Sequence, residues 1–209
     1  METKHPKPWG AIRWVDACAL TDFLKELLRE SDRAAVILSA SKIDLLLSQI
    51  LQKHLLPCAV SHDDLFEGEG PLSTFSSRIH LAFRLGFYDN VFAHSLHMIR
   101  RIRNDFAHEA AGSSLNTPPY RDKVKSLSAP FVKTDLFDSL KTFLLKGQEK
   151  NSSSDYRIIV SLIVLFLETM LYASKTIKPK PFILTKILAL KYPGDLKEDR
   201  TKEASKPNA

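Results

Sequence analysis

The sequence predicts an all-α protein: a single helical bundle of about six to seven helices with a disordered C-terminal tail. Three observations carry this. Only seven of the 209 residues are glycine, too few for a turn-rich β architecture. Apolar residues recur at helical spacing over long stretches. No segment shows the alternation of a half-buried strand, and no internal repeat is present.

The elements follow in order. The stretch WVDACALTDFLKELLRE carries leucines at helical spacing and predicts a first helix. A second begins at ESDRAAVILSASKIDLLLSQILQKHLL, where Ser31 or Asp32 can cap the orphan amides and Pro57 closes the run. It is apolar almost all round, which places it centrally. Gly68, Gly70 and Pro71 mark a loop. Ser73 or Thr74 then caps a short helix that Gly86 terminates. The next helix runs from a cap at Asp89 or Asn90 to His108, and AAGSSLNTPPY follows as a long Ser/Pro connection. FVKTDLFDSLKTFLLKG predicts a further helix with Gly147 as its stop. NSSSD caps the most apolar run, Ile158–Ala173, and ILTKILALKY predicts one short last helix. The domain expectation is an N-terminal helical extension over 1–22, a helical domain over 23–178, and a short helix with a flexible tail over 179–209.

Composition narrows the class. Hydrophobic residues make up 44% and charged residues 26%, values ordinary for a soluble globular domain. A net charge of +6 permits contact with nucleic acid or an acidic partner without demanding it. Cys18 and Cys58 are too few for a disulfide framework or a metal cluster, and a reduced, cytoplasmic setting is the expectation. The N-terminus METKHPKPWG has no signal-like apolar core. The run from Ile158 falls short of the roughly 20 residues of a membrane span and contains Glu168, so it predicts a buried core helix and no membrane.

The chemistry-bearing residues concentrate in IRRIRNDFAHEA. On a helical projection Phe92, Leu96, Ile99 and Phe106 line one face, and Arg103 falls in its middle. A guanidinium so placed calls for a carboxylate. On the second helix Ile37, Ala40, Leu47, Leu51 and Leu55 align, with Asp44 in their midst. The expectation is a buried Arg103–Asp44 pair, with Asp105 as a third member of a polar clasp. The opposite side of the same helix gathers His97, Arg101, Asn104 and His108 into a polar strip. That strip is either a solvated face, with His108 favoured at a helix C-terminus, or an interface.

The motifs E-S-D-R, P-L-S-T-F-S-x-R and I-R-N-D-F-A-H, within ESDRAAVILSASKIDLLL, LFEGEGPLSTFSSRIHLAFRLGFYDN and IRRIRNDFAH, resemble the mannitol operon repressor family. The likeness runs from Phe23 to His108 and resumes at YRIIVSLIVLFLETMLYA. It does not extend to the segment before Phe23, the Ser/Pro loop or the tail after Lys178. It implies an all-helical repressor of sugar-alcohol uptake genes. No helix–turn–helix, zinc-finger or ribbon signature accompanies it, so the expected mode is contact with a protein partner, another regulator. Direct sequence-specific DNA binding is not expected, and a homodimer is expected from the prevalence of symmetric dimers.

RNDFAH also resembles the arginine–polar–histidine signature of HEPN-type helical nucleases. That likeness implies an alternative: a metal-independent endoribonuclease with His108 as general acid or base, Arg103 stabilising the phosphorane, and Asn104 between them. On a regular helix Arg103 and His108 are about 140° apart, so convergence would need a distorted helix end or a second subunit. No P-loop, dinucleotide or nucleophile-elbow motif is present. No cofactor and no metal are expected, and His62, Asp63 and Asp64 predict a helix cap.

Overall fold

The computed structural model describes residues 22–178, apart from 24, 110, 111, 133 and 145–149. The predicted extension over 1–22, except its last residue, and the predicted last helix and tail lie outside them, as does the stop at Gly147. The described residues up to Ile177 belong to one compact unit. Among the described residues the protein is all-α, with no strand.

Six helices follow a short helical stretch at 25–29: α1 (Asp32–Lys53), α2 (Phe75–Arg84), α3 (Asn90–His108), α4 (Tyr120–Ser128), α5 (Asp135–Leu144) and α6 (Ser152–Ala173). Four starts fall on the anticipated residues. Ser31 accepts from the Ala34 amide, Thr74 from Ser77, Asp89 from Phe92 and Asn151 from Ser154. Each hydroxyl, carboxylate or amide oxygen satisfies an amide that has no partner within the helix. At α6 the cap is reciprocal, because the Ser154 hydroxyl also accepts from the Asn151 amide. Gly86, at φ +76°, ends α2. Its amide bonds to Phe83 and that of Phe87 to Ala82, the paired closure that a left-handed residue makes possible.

One helix departs from the sequence expectation. The Ser/Pro connection ends at Tyr120, and α4 follows it. Tyr120, Val124 and Leu127 are buried at helical spacing, but Pro119 supplies no side-chain cap and the outward face is charged.

α1 and α6 form the axis of the bundle. α1 packs against α2, α3 and α6, and α6 against α1, α4 and α5. The two run parallel, since Arg157 meets Asp32 at their starts and the Lys53 ammonium donates to the Leu171 carbonyl at their ends. α3 runs antiparallel to both. Its last turn lies beside Arg33 of α1, and its first turn stacks Phe92 on Phe166 of α6 at 4.7 Å.

α6 corrects one expectation. The helix is 22 residues long, not the 16 of its most apolar run, so by length and composition both it and α1 could cross a membrane. Inside the bundle 56% of each apolar window is buried. Ile158, Ile159, Val160, Ile163, Val164 and Leu167 are sealed in the core.

Candidate functional site

Three ionic anchors hold the helices that present the polar strip. The innermost joins Asp32 to Arg157, whose side chains are 16% and 9% exposed. Arg157 donates through Nη1 to Asp32 at 3.0 Å and to the carbonyl and hydroxyl of Ser153. Its Nε donates to the Leu27 carbonyl and its Nη2 to that of Glu30. The second Asp32 oxygen accepts from the Ser114 hydroxyl and, at 2.8 Å, from the Leu115 amide. The Ser153 hydroxyl also donates to Asp32.

Burial alone would raise the Asp32 pKa. Hydrogen bonds from Ser153, Leu115, Arg157 and Ser114 outweigh it and hold the carboxyl below the ordinary carboxylate value. The start of α1, the first turn of α6, the segment before α1 and the 112–119 loop are thus fastened at one point.

The second anchor overturns the predicted pairing. Asp44 is bound by Arg78 of α2 at 2.8 Å, not by Arg103. Arg78 also donates to the carbonyls of Leu72 and Ser73 and lies 6.0 Å from the Phe66 ring centre. The P-L-S-T-F-S-S-R stretch is therefore a folding unit: Thr74 caps α2, and Arg78 reaches back to hold the loop that enters it.

The third anchor takes the remaining member of the predicted clasp. Asp105 pairs with Lys123 of α4 at 2.5 Å. Arg103 is half-buried and makes no ion pair among the described residues. The buried side of α3 is Ala93, Ser95, Leu96, Ile99, Ile102 and Phe106, and because Ala107 lies beside Arg33, Arg103 stands toward the start of α1 and not opposite Asp44 at its middle.

Opposite the core, α3 carries the predicted strip. Arg101 and His108 are exposed, and His97 and Asn104 half-buried. The structure adds three cationic or titratable groups to it. His94 is exposed on the same side. His80 of α2 lies against His97, with ring centres 4.6 Å apart. Arg100, half-buried, has an Nε that is buried without a partner among the described residues.

Burial lowers the His97 pKa, and the positive fields of His80, Arg100, Arg101 and His94 lower it further. At the end of α3, Glu109 accepts from the Tyr120 and Ser113 hydroxyls. Tyr120 in turn packs on Phe106 at 4.5 Å.

Arg78 and Arg157 escaped the sequence reading, because a helical stretch shows a guanidinium but not the carboxylate it meets on another helix. His80 carried no signal, because its partner lies on another helix. His62, Asp63 and Asp64 form a turn rather than a helix cap. Asp63 accepts from the Leu65 amide, and His62 faces Asp64 and Glu67.

No protein-family model matches the sequence, and no curated protein matches it. Among solved structures the fold is similar to the MtlR chain of the X-ray structure of the MtlR–HPr complex from Escherichia coli. The TM-score is 0.53 at 13% identity, over 72% of this chain and 98% of that one. At that identity the likeness concerns the fold.

Proposed function

We propose that this protein is a cytoplasmic regulator of the mannitol operon repressor type, acting through protein–protein contact rather than by reading DNA bases. The observation that carries the reading is the fold shared with MtlR over nearly the whole of that chain. The motifs that resemble the family support it, because their side chains make the anchors just described. The Ser31 cap and Asp32 come from E-S-D-R, the Thr74 cap and Arg78 from P-L-S-T-F-S-S-R, and Asp105 from I-R-N-D-F-A-H.

HPr, found with MtlR in the solved complex, is the partner to try first. A homodimer belongs to the same proposal. The test is co-elution of the purified protein with HPr from the same cell, joined to derepression of a sugar-alcohol uptake reporter when the gene is deleted. Co-elution with derepression supports the regulator, and neither appearing sinks it.

A second reading is favoured by one observation: Arg103 is not tied up by Asp44. A metal-independent ribonuclease with Arg103, Asn104 and His108 therefore keeps an available arginine. Against it, α3 is helical through His108, so the two side chains diverge by about 140°. They would have to meet across two copies of the chain. Cleavage of a mixed RNA in excess chelator, abolished in His108→Ala with an unchanged melting temperature, would establish the enzyme.

A further inference from the structure

We propose that the outward face of α3, together with His80 of α2, is a docking surface for an acidic helical segment of a partner protein, and that docking takes up protons at His97. His94, His97, Arg101, Asn104 and His108 recur every three or four residues and form a ridge about 21 Å long. A partner helix with carboxylates at the same spacing can lie along it and oppose each group in turn.

The charge is uncompensated. The groups whose fields reach His97 are all cationic or titratable: His80 from α2, and His94, Arg100 and Arg101 from its own helix. Of the carboxylates on α3 and at its end, Asp105 is occupied by Lys123 and Glu109 by the Tyr120 and Ser113 hydroxyls. Arg100 makes no ion pair among the described residues, so its positive charge adds to the ridge although its Nε is buried.

Protein fits this surface better than nucleic acid. A single strand presents one phosphate per about 3.4 Å, or roughly six along the ridge. The permanent charges facing them are only those of Arg100 and Arg101. Histidines are poor constant counter-ions near neutrality but good proton-linked ones. In the free protein, burial and like charges hold His97 below its ordinary value. An anionic helix laid over it reverses the field and raises that value. The complex then holds more protons than the free protein, and affinity grows as pH falls.

This surface would serve the protein contact proposed above, but its chemistry is argued from charge and not from HPr. The probe is a fluorescein-labelled, alanine-based helix with glutamate at every third or fourth position, titrated into the full chain at constant ionic strength. Binding should tighten about tenfold between roughly pH 7.5 and pH 6. It should vanish when glutamine replaces glutamate in the probe, and fall about tenfold in Arg101→Gln. His80→Gln with His97→Gln should retain binding at pH 7.5 and show a weaker pH dependence than the wild type, with melting curves confirming that both variants fold.

Absence of binding, or binding indifferent to Arg101 and to pH, overturns the proposal. So does tighter binding of a labelled single-stranded RNA of equal charge, which would make the face a nucleic-acid surface. Because the probe reads the face directly, failure to bind HPr leaves this result standing, and the converse holds.

Discussion

Arg157 and Asp32 sit where a lone charge would be most costly, between the starts of the two axial helices. Removing one member of such a pair strands the other, and Arg157→Met or Asp32→Ala should each lower stability by about 3–5 kcal/mol in denaturant melts. Replacing both by apolar residues should recover most of that loss. The sign of the pH effect follows from the lowered Asp32 pKa. Burial acts to raise it, and the bonds from Ser153, Leu115, Arg157 and Ser114 prevail. A carboxyl held lower in the folded chain contributes stability that is fully present above its unfolded value, near 3.8. That contribution is lost as pH falls through the folded value. Acid unfolding of the native chain should therefore steepen below pH 3.8, and Asp32→Asn should remove that part of the curve.

At this scale the sequence revealed the rule and not the partner. A charge on an apolar face needs its opposite, and Asp44 does have one. A helical projection says which way a side chain points but not which helix stands in front of it. Arg78, Arg103 and Arg157 were therefore indistinguishable until the packing was known.

The elements themselves were largely legible because their ends are written in short-range chemistry. Ser31, Thr74, Asp89 and Asn151 each cap the helix they precede, and Gly86 closes α2. Asn151→Ala removes one half of the reciprocal cap on α6 and should lower stability by about 1 kcal/mol, measurable as a shift in the urea midpoint at unchanged slope. α4 escaped notice because it has no such cap and spans nine residues, too few for its apolar spacing to stand out. Between α1 and α2 the loop doubles back tightly enough that a Cβ on Gly70 would lie 2.3 Å from the Asp64 carbonyl oxygen and 2.7 Å from that of Leu65. Gly70→Ala must displace backbone, and a loss of about 1–3 kcal/mol is expected. That would loosen the segment that Arg78 grips through Leu72 and Ser73.

For the molecule as a whole, fold and function were legible to different degrees. An all-α bundle follows from spacing and composition, and α1 and α6 bury their apolar runs against each other and their neighbours. Function is carried by surfaces, and a surface leaves little periodic trace. The strip His97, Arg101, Asn104 and His108 could be projected onto one side of α3. His94 and Arg100 lie on α3 as well and could have been projected with it, whereas His80 of α2 required three dimensions. With His108 exposed at the end of α3 and outside any chemistry in the proposed regulator, His108→Ala should leave both melting temperature and RNA integrity as in the wild type.

If the bundle works by holding a protein partner, a calorimetric titration of the purified full chain with HPr from the same cell should show it. Saturable heat at a fixed stoichiometry, with a complex that co-elutes on gel filtration, is the predicted result. No heat and no co-elution, alongside RNA cleavage that depends on His108, would contradict it and leave the bundle a nuclease.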